Sequence, residues 1–176
     1  LPASLAAITA NAMSAALGLE SFQVALPACN LSPLSPRILL LGVAAGIIGG
    51  LFTVLLQYGK KQAAKWFPNP LIRIAVCGTV LAVLLGVCGT GRYTGLGTNL
   101  ITLACTDGTV YSFDFLCKLL FTVLTLSIGF QGGEVTPLFA IGACLGTALA
   151  PILGIPTVLA AALCYAAVFG SASNTL

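Results

Sequence analysis

Hydrophobic residues in this chain gather into runs instead of alternating, and clusters of Gly, Pro and charged residues separate the runs. The helical rise of about 1.5 Å per residue makes residues 38–56 long enough to cross a bilayer core of about 30 Å. Residues 74–87 predict a second, shorter apolar helix, and 115–128 a third, with Lys118 near its start. Residues 138–150 and 157–169 are the last two runs, too short to span alone, with Pro151 and Pro156 bracketing a break between them. Short apolar segments interrupted by Gly and Pro predict half-helices that meet near the membrane midplane. Such broken backbone persists at depth only where protein buries it or where it lines a cavity. Upstream, residues 1–19 are rich in Ala and Leu and read as the end of a helix. Residues 20–36, punctuated by Pro27, Pro33 and Pro36, read as a connector that is extended over 21–26.

Glycine spacing adds detail. Gly42, Gly46 and Gly50 recur every fourth residue, which lays a flat groove along one helix face and predicts close packing within the protein. Gly86, Gly89, Gly91, Gly95 and Gly97 break the pattern after the second helix, and Asp107-Gly108-Thr109 predicts a turn. A GxG in this context lacks the strand–loop–helix setting that a phosphate loop needs. Lys60, Lys61, Lys65 and Arg73 cluster with Trp66 and two prolines, predicting an interfacial loop that the positive-inside rule assigns to the cytoplasmic side.

Composition turns these runs into a class. The chain is 59% hydrophobic and 6% charged, whereas ordinary soluble domains carry about 25% charged residues. This is the composition of an all-α integral membrane protein. A dispersed net charge of +3 gives no footprint for nucleic acid. Seven cysteines without a CxxC pair, and no His, leave little to build a zinc or iron–sulfur site, so no cofactor is expected. Most of the cysteines lie in apolar runs and read as small hydrophobes. The chain begins with Leu1 and stops at Leu176 directly after Gly170-Ser171-Ala172-Ser173-Asn174-Thr175, which reads as an internal piece of a longer protein.

Phe130-Gln131-Gly132-Gly133-Glu134-Val135-Thr136-Pro137-Leu138 concentrates the chemistry. Thr136 is a favourable N-cap and Pro137 suits the first helical position, so a helix is expected to start there. A helix N-terminus carries roughly half a positive charge and several free N–H donors, which together bind anions. Gly132 and Gly133 would let the chain turn tightly and an ion approach the amides. Ionised, Glu134 could occupy the anion position; protonated, it could swing away, which couples an anion to a proton. An acid at bilayer centre costs about 2.5–3.5 kcal/mol to insert, so it marks function or a paired charge. The plainer reading leaves Glu134 as a helix cap or as the partner of a Lys or Arg in a segment missing from this chain.

Gly-Gly-Glu-Val-Thr-Pro, preceded by Ser-Ile-Gly-Phe-Gln, resembles the second-half anion-site motif of the CLC chloride channel and antiporter family, where Gly-Gly-Ile/Lys-Phe-x-Pro is usual. Glu134 and Thr136 at these positions, and Val135 in place of phenylalanine, resemble the fluoride/proton antiporter branch. So does Cys164-Tyr165-Ala166-Ala167-Val168-Phe169-Gly170-Ser171-Ala172-Ser173-Asn174-Thr175. The likeness is dense from Lys118 to Leu176 and extends by element order back to Leu1. The family's Gly-Arg-Glu-Gly gating segment, its first-half serine or methionine loop and its late tyrosine are absent from this chain.

The resemblance implies a CLC-type inverted-repeat transporter fold with broken half-helices, incomplete in this chain. Residues 1–36 would hold the end of the first repeat and a connector, and 37–176 most of the second repeat. It implies a homodimer with one ion pathway per subunit, embedded among membrane lipids as a multi-pass protein of a bacterial-type plasma membrane. It implies fluoride export coupled to proton entry. Gly133, Glu134, Val135 and Thr136 would form the anion site, through the backbone of Glu134 and Val135 and the side chains of Glu134 and Thr136. A chloride channel or chloride/proton exchanger of the same fold is the nearest alternative. An intramembrane enzyme would need a nucleophile–base pair or a metal cluster. The chain offers no His, no paired acids in one apolar segment and no Ser–Lys pair at helical spacing. A purely structural subunit would leave Glu134 unexplained.

Overall fold

The computed structural model describes residues 8, 9, 12–14, 16–18, 35–88, 91–106 and 108–173. Within the first stretch, residues 8, 9, 12–14 and 16 are helical, as expected of a helix end. The extended segment over 21–26, most of the connector over 20–36, Cys29, Asp107, Asn174 and Thr175 lie outside the described residues. Six helices follow: α1 Pro36–Trp66, α2 Pro70–Val87, α3 Thr98–Cys105, α4 Asp114–Ile128, α5 Val135–Leu153 and α6 Thr157–Ser173. No strand occurs among the described residues. Prolines open two of the helices at a position that needs no N–H: Pro36 follows Ser35, and Pro70 follows Asn69, whose Oδ1 accepts from Leu71 N at 3.0 Å.

α5 is the hub. It packs most extensively on α6 and also meets α4, α3 and α1, while α1 crosses α6 and α4. The shared core joins Leu41, Phe52 and Leu56 of α1, Leu119 and Val123 of α4, Leu138, Ile141 and Leu145 of α5, and Cys164 and Val168 of α6. Gly142 and Gly146 make the α5–α6 contact possible, because a side chain at either would run into the backbone of Cys164 or Ala160. α2 stands apart: it packs against α4, and Leu81 is its one buried residue.

Four expectations change. The lysines do not form a loop; α1 continues through Lys60, Lys61 and Lys65 to Trp66. Lysine is a good helix former, and no Gly or Pro interrupts the chain between Gly59 and Pro68. α2 correspondingly begins at Pro70, so Arg73 is helical and the connector is three residues long. α5 is 19 residues, apolar and long enough to cross a membrane, as are α1 and α2. Pro151 sits inside α5, in its last turn, and the break falls at Gly154 (φ 61°) and the residues up to Pro156. Finally, Gly42, Gly46 and Gly50 face open space, and the glycine pressed against a neighbour is Gly49, beside Val168 and Ser171 of α6. The buried stripe Leu41, Ala45, Gly49, Phe52 and Leu56 lies one residue off the glycine row.

Candidate functional site

Residues 130–134 join the end of α4 to the start of α5. α4 stops at Ile128 because Gly129 takes up φ 112°, a left-handed C-cap that glycine accepts without strain. Arg73 of α2 closes this end, its Nε donating to the Ile128 carbonyl at 2.8 Å. Gly129, and not Gly132 or Gly133, is thus the left-handed turning residue of this segment. A side chain at Gly132 or Gly133 would meet nothing within 4 Å, so both present open backbone.

The first bond of α5 runs from Leu138 N to Glu134 O at 3.2 Å, which makes Glu134 the N-cap and Val135 the first helical residue. Thr136 is therefore inside the first turn and is not the cap. Pro137 sits at the third helical position, still within the turn whose N–H groups have no intrahelical partner. No capping side chain meets these amides. The Glu134 carboxylate turns instead toward α1, where its Oε1 lies 3.5 Å from Lys60 Nζ. The two side chains are 44% and 52% exposed, so the acid is neither stranded nor deeply buried. Phe139, one turn into α5, stacks on Tyr165 at 4.1 Å between centroids and leans on Phe169 at 4.9 Å, fixing the start of α5 to α6.

Three cavities converge on this stretch. One of about 390 Å³ reaches Gln131, Gly132, Gly133 and Pro137 from the side of Lys118. One of about 710 Å³ is lined by Lys60, Arg73, Gln131, Gly132 and Glu134. One of about 300 Å³ lies between Lys60, Glu134, Val135 and Leu138. Glu134 and Val135 share the third of these cavities, Gly133 lines only the first, and Thr136, half-buried, lines none of the three.

A second polar centre escaped the sequence reading. Asp114, fully buried at the start of α4, accepts from Arg92 Nη2 at 2.5 Å, Tyr93 Oη at 2.6 Å and Tyr111 N at 2.9 Å. One turn on, buried Lys118 donates to the carbonyls of Tyr93 at 3.0 Å and Gly95 at 2.8 Å. Together they tie the 91–97 loop to α4. In that loop, its bond to Asp114 raises the basicity of Arg92, and burial followed by the Asp114 bond holds the Tyr93 hydroxyl well above its usual range. Only the crowding of Arg92, Tyr93 and Asp114 around short, Gly-rich segments could have hinted at this. The described cysteines are all free, with Cys144 and Cys164 buried in the core, as small hydrophobes should be.

Apolar helices of spanning length, packed through glycines around a hub whose open N-terminus meets an acid, define a multi-pass membrane protein with a polar site at a helix start. A sequence profile described as voltage gated chloride channel matches residues 1–176, and the chain belongs to that family, which is one of anion transport and not of enzymes. A crystal structure of a CLC-type fluoride/proton antiporter superposes with a TM-score of 0.88 at 49% identity, covering 99% of this chain and 45% of the other. The fold is accordingly the CLC fold. A chloride/fluoride channel protein of Pseudomonas syringae pv. tomato is 37% identical over 143 residues, 76% of this chain and 31% of its own. An H(+)/Cl(-) exchange transporter ClcA of Citrobacter koseri is 31% identical over 117 residues, 62% of this chain and 24% of its own. The chain spans less than half the length of each of these relatives.

Proposed function

We propose that this chain carries one wall of the ion pathway of a fluoride/proton antiporter that exports fluoride. Gly133, Glu134 and Val135 line its cavities, and Thr136 belongs to the same first turn of α5. Residues 37–176 supply most of the second repeat, residues 1–36 the end of the first repeat and a connector, and the whole protein works as a homodimer in a bacterial-type plasma membrane. The observation that carries this reading is the start of α5, where first-turn amides have no capping side chain and the adjacent carboxylate is turned away onto Lys60. Fluoride is small and strongly hydrated, so it needs close, strong donors in place of its water; open amides at a helix N-terminus are such donors. Glu134 supplies a group that exchanges a proton at the same place. The similarity to a fluoride/proton antiporter structure supports the choice of ion.

A chloride channel or chloride/proton exchanger is the second reading, favoured by the likeness to the H(+)/Cl(-) exchange transporter. Efflux from liposomes holding the full-length protein separates the two. Fluoride flux that exceeds chloride flux and drives proton movement is the expected result. Chloride flux faster than fluoride flux, without proton movement, overturns it. Glu134→Gln is expected to abolish proton coupling; coupled flux at the unsubstituted rate would remove Glu134 from the mechanism.

A further inference from the structure

Lys60 and Glu134 are 74 residues apart in sequence, yet they form the one ion pair at the glycine-rich stretch among the described residues. The carboxylate has two available seats. One is the first-turn amides of α5, whose partial positive charge favours an acid. The other is the Lys60 ammonium, and the structure shows it there, with no bond from the carboxylate to the amides. The carboxylate takes the second seat and leaves the first without a side-chain partner.

We propose that Lys60 is a positioning residue for Glu134: its ammonium holds the carboxylate off the first-turn amides of α5, so that those amides stay open to the transported anion. The inference rests on the functional reading above and adds a residue to it. The surroundings single out Lys60 for this task. Arg73 is the other cation lining the same cavity, but its guanidinium is engaged with the Ile128 carbonyl. Of the two cavities that Glu134 lines, one receives Phe169, Ala172 and Ser173 from α6 and the other Leu126 and Ser127 from α4, none of them charged. No other acid lines either cavity. A carboxylate released from Lys60 therefore has the amides as its next seat, where it competes with a free anion.

The test is fluoride binding to the full-length protein in detergent, measured by titration calorimetry, which does not depend on turnover. Lys60→Met is expected to raise the fluoride Kd by about two- to fivefold, the range an exposed ion pair supplies. Lys60→Arg, which preserves the charge and can still reach the acid, is expected to restore the unsubstituted Kd. Lys61→Met, a matched loss of charge one residue along on an exposed side chain, is expected to leave it unchanged. The deciding measurement is the double variant Lys60→Met/Glu134→Gln, whose Kd should equal that of Glu134→Gln alone. An unchanged Kd in Lys60→Met overturns the proposal. So does an equal rise in the Glu134→Gln background, which would mean that Lys60 attracts the anion directly, or an equal rise in Lys61→Met, which would mean a general charge effect. Failure of the unsubstituted protein to bind fluoride overturns the functional reading itself, and the role of Lys60 with it.

Discussion

Two acids of this chain sit in opposite circumstances, and their surroundings assign them different work. Asp114 is fully buried and its oxygens are filled by Arg92, Tyr93 and the Tyr111 amide. Breaking a buried ion pair leaves the remaining charge uncompensated, at a cost of about 3–5 kcal/mol. Arg92 retains 22% exposure, so Asp114→Asn belongs at the lower end of that range. Tyr93→Phe removes one hydrogen bond to a charged acceptor and should cost about 1.5–3 kcal/mol. Thermal unfolding of the full-length protein in detergent should place Asp114→Asn below Tyr93→Phe, and both below the unsubstituted protein. Glu134, 44% exposed and in a 3.5 Å pair, contributes little to folding by comparison. Glu134→Gln should unfold within about 0.5 kcal/mol of the unsubstituted protein. A Glu134→Gln variant that unfolded as readily as Asp114→Asn would make Glu134 part of the scaffold.

At the scale of helices, glycine matters by what faces it. At Gly146 a methyl group would enter the carbonyl of Ala160, so Gly146→Ala must push α5 and α6 apart and should cost about 1–3 kcal/mol. At Gly42 a methyl group would meet nothing, so Gly42→Ala should stabilise α1 by up to about 1 kcal/mol through helix propensity. Unfolding measurements on the pair test this directly; equal effects would refute the α5–α6 crossing. The contrast also shows what sequence can carry. Both glycines belong to four-residue rows, and the rows look alike until the partner helix is present. Apolar runs located every helix except α3, whose eight residues are too few to show a period. Helix ends were less legible. The lysines of α1 and the Thr136-Pro137 pair resemble boundaries, yet each is compatible with a continuing helix, and only the hydrogen-bond from Leu138 to Glu134 fixes the start of α5. In the site, Glu134 was legible because an acid is rare in such a chain. Its partner was not, because nothing local relates positions 60 and 134.

The whole molecule adds a direction to the site. α1 is 31 residues, about 46 Å long, and exceeds a bilayer core of about 30 Å. Its surplus carries Lys60, Lys61, Lys65 and the 71%-exposed Trp66, the residues that favour the headgroup region. The three-residue connector then returns the chain into α2, whose 18 residues, about 27 Å, carry it across to Cys88 at the far end. The basic end of α1, and with it the Lys60–Glu134 pair, should therefore lie on the cytoplasmic face, and the exposed thiol of Cys88 on the opposite one. A full-length protein whose other cysteines are replaced provides the test. A membrane-impermeant maleimide should label Cys88 in intact cells, whereas Lys65→Cys, introduced in a version also lacking Cys88, should be labelled only in inside-out vesicles. Labelling of both positions from one face would mean that α2 does not cross. Labelling of Lys65→Cys in intact cells would invert the chain, and would turn the open amides of α5 away from the cytoplasmic fluoride that an exporter must collect.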